Sequence, residues 1–185
     1  METLEAINMR ASLKTRLSTR DVEKEKIKKV LEAARLAPSA RNNQPWHFIV
    51  VKGKENVRNV VTKAFGDTNQ MVKEAPVLII ACGNPSDDVI ADGKELYLFD
   101  IGLAVENMLL AATDLGLVTH PMAHVKEDEL KRILGIPPEV RFVIATPLAY
   151  PAGGSYEEAV QERLSQRTRK DLKEVVYANA WGKPL

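Results

Sequence analysis

Three short segments of the sequence carry side chains that could bind an anionic or heterocyclic ligand. The first contains Arg10, Ser12 and Lys14, which are alternate residues. An arginine fork, a hydroxyl donor and a lysine point charge are groups that bind phosphate well. Because short basic runs are usually solvated surface, this segment taken alone favours the exposed end of a basic helix.

A second basic pair lies near the other end of the chain. Arg167 and Arg169 are also alternate residues, so both side chains would point the same way if the segment were extended. Exposed surface is again the simpler interpretation of this pair by itself. The two basic pairs would form one phosphate-binding site only if the fold brought them together.

The third segment is a polar loop between prolines, with the sequence PSARNNQPW from Pro38 to Trp46. Its small residues, two asparagines and one glutamine make it rich in amide donors and acceptors. Such a loop could bind the edge of a heterocycle. The alternative is a turn that only caps the preceding helix.

The elements that must position these segments follow from hydrophobic periodicity and from turn residues. Asp21 is the expected N-cap of the first long helix. The apolar run 77–82 lacks alternation, which predicts a central strand covered on both faces. Strand–helix alternation predicts an α/β or α+β fold with a helix-covered sheet. The first long helix is expected to follow Asp21 and to be ended by Pro38 and Ser39. The other expected helices are 55–65, 96–115 and 126–134, the strands 47–51, 77–82 and 141–148, and a short extended piece 117–122.

The composition excludes several classes of protein. The chain has 185 residues, with 26 lysines and arginines against 25 acids and a net charge of +1. No global field is available for nucleic acid or an anionic membrane, so neither is an expected partner. A single cysteine, Cys82, excludes a disulfide framework, and a metal site is not predicted. The lone cysteine and the absence of an apolar leader favour the cytoplasm.

The known motifs that are missing narrow the chemistry further. There is no dinucleotide-binding glycine fingerprint, no phosphate-binding P-loop, no zinc-protease helix and no serine nucleophile elbow. The apolar stretch 96–117 contains Asp100, Glu106 and Asp114. Three acids would be costly in lipid, so this stretch is expected to be a buried core helix.

Taken in order along the chain, these segments resemble the FMN-dependent nitroreductase family. The matching pieces are R-x-S-x-K, A-P-S-A-R-N-N-Q-P-W-H-F-I-V-V, G-L-V-T-H-P-M and R-x-R-K-x-L, and N-Q-P-W-H-F is the most specific. The resemblance runs from about Arg10 to Trp181. It implies an α+β fold with a central, mostly antiparallel sheet flanked by helices. It also implies one FMN-binding domain, 1–185, in an intertwined homodimer with FMN at the interface and an arm, about 163–185, wrapping the partner.

The resemblance assigns the phosphate end and the ring end of FMN to different segments. Lys14 matches the cation near flavin N1 and O2, and the loop at 38–40 is contributed to the ring by the other subunit. Asn69 or Gln70 matches the amide at the pyrimidine edge, and which of Asn42, Asn43 and Gln44 touches flavin stays open. The residues implied to hold FMN are Arg10, Ala11, Ser12, Lys14, Pro38, Ser39, Ala40, Asn42, Asn43, Gln44, Asn69, Gln70, Pro121, Met122, Ala123, His124, Arg167 and Arg169.

The implied activity is reduction of nitroaromatic, quinone or related electron-poor acceptors by NAD(P)H, in a ping-pong mechanism. No side chain acts as acid or nucleophile, because the flavin carries the chemistry. Between Cys82 and Leu96 the chain has only 13 residues, where larger members insert covering helices, so a small or open pocket is expected. Alternatives are dehalogenation or flavin breakdown on the same scaffold, or a flavin-binding sensor with little turnover.

Overall fold

A three-stranded antiparallel sheet in the order β1–β2–β5 forms the centre of the computed structural model, which describes residues 1–185. The strands are β1 (Trp46–Lys52), β2 (Val77–Gly83) and β5 (Arg141–Leu148). Every residue of β2 is buried. Its alternate residues enter two different hydrophobic clusters, one on each face of the sheet. The prediction of a central strand covered on both faces is confirmed.

Seven helices surround this sheet, and the α+β class is confirmed. Helices α2 and α4 contribute to the core on one face, and α3 and α5 to the core on the other. Between β2 and α4 the chain forms a 3-10 turn and the hairpin β3–β4, with no inserted helix. The helices are α1 (Thr3–Met9), α2 (Lys24–Arg35), α3 (Lys54–Ala64), α4 (Leu96–Asp114), α5 (Glu127–Leu134), α6 (Tyr156–Ser165) and α7 (Leu172–Val175); the hairpin strands are β3 (Ile90–Ala91) and β4 (Lys94–Glu95).

Helix α4 is the one helix long and apolar enough to cross a membrane by length and composition. Half of its most apolar window is buried inside the molecule, and Asp100 lies among the buried residues. The core helix of a soluble protein meets the same criterion. The position of α4 beside β1, β2 and β5 agrees with the expectation of a buried core helix.

The start of α2 differs from the sequence prediction. The N-cap is Glu23 and not Asp21, and the Glu23 carbonyl accepts the amides of Lys26 and Ile27 at 3.0 and 3.1 Å. Val22 inserts its side chain into the core, which keeps the chain non-helical up to that residue. The Glu23 carboxylate accepts the Tyr150 hydroxyl at 2.5 Å, and this contact lowers the pKa of Glu23 to about 2.

Helix α6 was not predicted, because only a few of its positions are buried in an otherwise polar stretch. Its N-terminus carries a capping box in which the Glu158 amide donates to Ser155 Oγ at 3.3 Å and the Ser155 amide to the Glu158 carboxylate at 2.8 Å. The spacing S-x-x-E is visible in the sequence and could have located this helix. The predicted arm at 163–185 therefore starts inside α6, and the residues after Ser165 include the short helix α7 and a turn in which Tyr177 pairs with Pro184.

Candidate functional site

The two basic pairs meet in one cavity of about 310 Å³. The cavity is lined by Arg10, Ala11, Ser12, Arg163, Gln166, Arg167 and Arg169. Four guanidinium groups therefore surround one space, and no acidic residue lines it. Because planar guanidinium forks suit phosphate oxygens, the cavity has the chemistry of a phosphate site.

The N-terminal half of this cavity is built by strand-like alternation and not by a helix. Helix α1 ends at Met9, and Leu13 then donates its amide to the Thr119 carbonyl at 2.8 Å. Ala11 and Leu13 are buried, whereas the intervening basic and hydroxyl residues are only half-buried. The alternation thus directs Arg10, Ser12 and Lys14 away from the core.

The C-terminal half is positioned by α6. Tyr156 is buried in the same cluster as Ala11 and Leu13, and its hydroxyl donates to the Met9 carbonyl at 3.3 Å. The guanidinium of Arg167 donates to the Arg10 carbonyl at 3.5 Å. Sequence reasoning missed Arg163 and Gln166 at this cavity because it missed the helix that carries Arg163.

A second cluster of donors surrounds Lys14. Its ammonium group donates to the Thr68 carbonyl at 3.2 Å. His120 lies close enough that burial first, and then the charges of Lys14 and Arg163, lower its pKa. The Nδ1 atom of His120 is buried and has no hydrogen-bond partner. His120 was not among the predicted site residues, although it lies in the G-L-V-T-H-P-M segment that carries part of the family resemblance.

Asn69 and Gln70, the two candidate side-chain amides next to Thr68, differ in whether they are already hydrogen-bonded within the protein. The Gln70 side chain donates to the carbonyls of Phe65 and Val61 at 2.9 and 3.2 Å, so it ties the end of α3 to the following turn. Asn69 is buried, and no protein hydrogen bond engages its side chain. Asn69 is the amide of the pair with free hydrogen-bonding capacity.

The segment 121–124 likewise contains some backbone groups that are hydrogen-bonded within the protein and others that are not. Met122 exchanges both of its backbone hydrogen bonds with Ala145, at 2.8 and 3.0 Å, and its side chain lies in the core. The next amide, that of Ala123, has no backbone partner and lies on an exposed residue. His124 is exposed beside Gly66, and a Cβ atom on Gly66 would lie 3.5 Å from its ring.

The polar loop 38–44 has a constrained backbone. Arg41, Asn42 and Gln44 have φ values of 50°, 59° and 52°, a region that non-glycine residues rarely adopt. The Gln44 amide donates to Ser39 Oγ at 2.9 Å. Pro38 is exposed, whereas Ser39 is half-buried. Such strain persists only where surrounding contacts hold the loop.

Two acids supply those contacts. The Ala40 amide donates to Asp100 Oδ2 at 2.7 Å, and the Asn43 side chain donates to Asp88 Oδ1 at 3.1 Å. Asn43 is therefore engaged within its own chain. The side chain of Gln44 donates to the Asn42 carbonyl at 3.1 Å.

The basic cavity and the polar loop lie on different faces of α4. Arg10 contacts Glu106 on this helix at 3.5 Å, and Ala40 contacts Asp100. Six residues of α-helix separate these acids, which corresponds to about 9 Å along the axis and about 120° around it. One chain thus brings the basic residues together but holds the loop on another side of the helix.

Comparison with known proteins identifies the fold. The Nitroreductase family model matches residues 7–70 and 66–150. A Methanothermobacter thermautotrophicus protein with the provisional name NADH dehydrogenase/NAD(P)H nitroreductase is 37% identical over 158 residues, 82% of this chain and 78% of that protein. The crystal structure of a nitroreductase family protein from Clostridium difficile 630 has a TM-score of 0.82 at 30% identity, over 97% and 99% of the two chains.

A further solved structure carries a ligand. A provisionally named nitroreductase from Desulfovibrio desulfuricans, crystallised in complex with FMN, has a TM-score of 0.77 at 24% identity, over 98% of both chains. At that identity the match concerns the fold. With a family model over most of its length and a relative at 37% identity, the chain belongs to the nitroreductase family.

Proposed function

We propose that the protein is an FMN-dependent oxidoreductase that uses NAD(P)H to reduce electron-poor acceptors such as nitroaromatic compounds and quinones. The observation that carries the proposal is the convergence of four arginines and Ser12 on one cavity, with no acid in its lining. A family relative crystallised with FMN supports the choice of cofactor. The family's NAD(P)H nitroreductase names support the choice of electron donor.

The chemistry of the residues fits FMN from one end to the other. Arg10, Ser12 and the arginines of the C-terminal segment would hold the phosphate as a dianion. Lys14 lies two residues from Ser12 along an extended backbone, about 6–7 Å away. It would face the N1 and O2 side of the flavin, next to Asn69 at the pyrimidine edge. The free Ala123 amide would donate toward N5 or O4.

When bound, FMN supplies a two-electron centre that takes hydride from NAD(P)H and delivers electrons to an acceptor. Lys14 would stabilise the negative charge that reduction places near N1 and O2, in a partly dry site. Arg163 would add positive potential beside Lys14. His120, which stays neutral because its pKa is lowered, would add a ring nitrogen that can form a hydrogen bond. No side chain needs to act as a nucleophile, and donor and acceptor would use the same open face in turn.

We propose that the complete site requires a homodimer, in which loop 38–40 of one chain meets the flavin held by the other. The loop and the basic cavity of the same chain lie on different faces of α4, so a second copy must supply the missing half. The C-terminal arm is available to join the copies. Trp181 and Leu172 are 90% and 76% exposed, and Trp181 contacts only Tyr177 among aromatic side chains, at 4.9 Å between ring centroids.

The outer edge of β1 is the proposed seat of the partner's arm. This edge strand has no neighbour on one side, and cavities of about 600 and about 390 Å³ flank it on its two faces. The larger cavity combines apolar residues such as Trp46 and Phe48 with a rim of four lysines and arginines against one acid. The exposed apolar side chains of the arm, Leu172, Val175 and Trp181, would pack against the apolar residues of this cavity.

The test starts with the purified protein and its bound pigment. We expect a yellow dimer that releases FMN on denaturation and is bleached by NADH or NADPH in stopped-flow mixing. A panel of nitroaromatics, quinones and halogenated phenols would then restore the oxidised spectrum at rates that rank the acceptors. A yellow protein that neither donor bleaches would contradict the enzymatic proposal and leave a flavin-binding protein. We place the activity in the cytoplasm, with no nucleic-acid or membrane partner.

A further inference from the structure

Arg41 is the only charged residue in the polar loop 38–44, and its side chain is exposed. Two acids lie behind the loop, but Asp100 accepts the Ala40 amide and Asp88 accepts the Asn43 side chain. The Oδ2 atom of Asp88 has no donor at all, so the guanidinium does not turn back to it. The charge of Arg41 is therefore not used within its own chain.

Most other arginines outside the basic cavity are paired with an acid. Five of them form ion pairs with carboxylates, namely Arg20, Arg35, Arg58, Arg132 and Arg141. Arg16 forms no ion pair, but it lines a smaller cavity that shares Arg163 and Gln166 with the basic cavity. Arg41 is thus the one arginine far from the basic cavity whose guanidinium is free to bind a ligand.

The backbone at Arg41 is strained, and no contact of its side chain compensates for the strain. Its φ of 50° and ψ of 19° lie in the left-handed region, which glycine adopts easily and other residues rarely adopt. Asn42 has a φ of 59°, which asparagine tolerates better than arginine does. Strained residues of this kind cluster at ligand sites. A glycine would relieve the strain at position 41 but could not supply a cation.

The loop holds Arg41 on a pre-ordered backbone. The Asn42 amide donates to the Ser39 carbonyl at 3.0 Å, and the Asn43 amide donates to the Ala40 carbonyl at 3.0 Å. These two turns overlap around Arg41, and the Ala40 amide ties them to Asp100 at 2.7 Å. Because the backbone is already ordered, binding a ligand at the guanidinium costs less conformational entropy.

We propose that Arg41 binds the diphosphate of NAD(P)H when the nicotinamide lies on the open face of the flavin. The inference rests on the proposed function and on the proposed dimer, in which loop 38–40 meets the partner's flavin and Arg41 follows directly. NADH and NADPH both carry a diphosphate, and a guanidinium fork suits phosphate oxygens. The arginines of the basic cavity would already hold the FMN phosphate. Arg41 would bind the reductant and take no part in the hydride transfer.

Stopped-flow reduction of the FMN-loaded protein by two reductants tests this contact. NADH carries the diphosphate, whereas N-benzyl dihydronicotinamide has the same hydride-donating ring and no phosphate. In Arg41→Gln, the NADH concentration that gives half of the limiting reduction rate should rise about tenfold, the effect of losing one charge-assisted contact. The limiting rate should stay the same, and so should both parameters for the benzyl compound.

Three controls accompany this comparison. Arg41→Lys keeps the charge but loses the fork, so its half-saturating NADH concentration should lie between those of wild type and Arg41→Gln. Arg132→Gln, at an exposed arginine on α5, should behave as wild type. Added salt should raise the half-saturating NADH concentration more in wild type than in Arg41→Gln, because salt screens an exposed charge pair. The absorbance of bound FMN verifies that each variant is folded and loaded.

Each other outcome contradicts a different statement. An NADH dependence equal in wild type and Arg41→Gln would overturn the inference and leave the proposed function intact. An equal loss for both reductants would overturn it as well, because Arg41 would then only order the loop. Slower reoxidation by nitrobenzoate but not by nitrobenzamide, with NADH unaffected, would assign Arg41 to the acceptor instead. A wild-type flavin that neither reductant bleaches would contradict the proposed function itself.

Discussion

The basic cavity and the polar loop show two ways in which one chain prepares a binding site. The cavity is completed within the chain, because α6 packs on the N-terminal segment and brings arginines from both ends together. The loop is held by two acids on other elements and faces away from that cavity. The phosphate end of the proposed site therefore forms within one chain, whereas the ring end, in the proposed dimer, also needs the loop of a second copy.

The largest expected effect comes from removing the arm that is proposed to join two copies of the chain. Truncation after Lys173 deletes Tyr177, Trp181 and the rest of the exposed arm, so the dimer should weaken and FMN should be lost with it. A buried Trp alone accounts for on the order of 200 Å² of interface. Size-exclusion chromatography with detection at the flavin band measures both losses at once.

The control for the truncation is removal of only the last residues after Gly182, which spares both aromatic side chains. A truncated protein that stays dimeric and yellow would show that the arm does not couple the two regions. A truncated monomer that stays yellow would show instead that the basic cavity and its own chain suffice for FMN.

The next effect concerns the cavity alone. Arg10→Met removes one charge-assisted contact to phosphate, which we expect to weaken FMN binding by about 1.5–3 kcal/mol, or roughly 10–150-fold. Riboflavin lacks the phosphate, so its affinity should be lower than that of FMN and unchanged by the substitution. Isothermal titration with both ligands makes the comparison. Arg141→Met, at an arginine outside the cavity, is the matched control, and equal wild-type affinities for both flavins would remove the arginines from this role.

A smaller effect is expected at the junction between phosphate and ring. Lys14→Met should lower the two-electron reduction potential of the bound flavin and slow its reduction by NAD(P)H, because the reduced form loses a stabilising cation. For a two-electron couple about 30 mV corresponds to 1.4 kcal/mol. Potentiometric titration measures the shift, with Lys63→Met as an exposed control. A reduction potential equal to that of wild type within error would contradict the placement of Lys14 beside flavin N1 and O2.

The smallest effect concerns His120 in the cofactor-free protein. Burial, then Lys14 and Arg163, lower its pKa in the folded state, so the unfolded chain binds the proton more readily. The contribution of His120 to the free energy of unfolding should therefore be fully present above about pH 6.5. It should decrease as the pH falls below that value, with a slope of at most about 1.4 kcal/mol per pH unit. Urea unfolding across this range measures it. His120→Gln should flatten that decrease, His47→Gln should not, and an unchanged slope in His120→Gln would contradict the assignment.

Local patterns predicted much of the fold because they are properties of short segments. The unbroken apolar run at 77–82 forms the central strand, and the sequence bounds of β5 agree with the structure. Gly135 adopts a φ of 65° after α5, as expected of a residue just beyond a helix. The error at Asp21 arose because burial of Val22, a tertiary contact, overrides the local preference for a capping side chain.

The sequence by itself determined which chemical groups the protein possesses and most of the elements that carry them, since periodicity and turn chemistry act over a few residues. Only the tertiary structure decided which groups meet and which remain free. It gathers arginines from both ends of the chain, consumes the Gln70 amide and the Met122 backbone, and leaves Ala123 and His120 with unused hydrogen-bonding atoms. It also sets Asp100 against a loop 60 positions away. Such encounters depend on how distant elements pack, and burial then decides the charge that each group can hold.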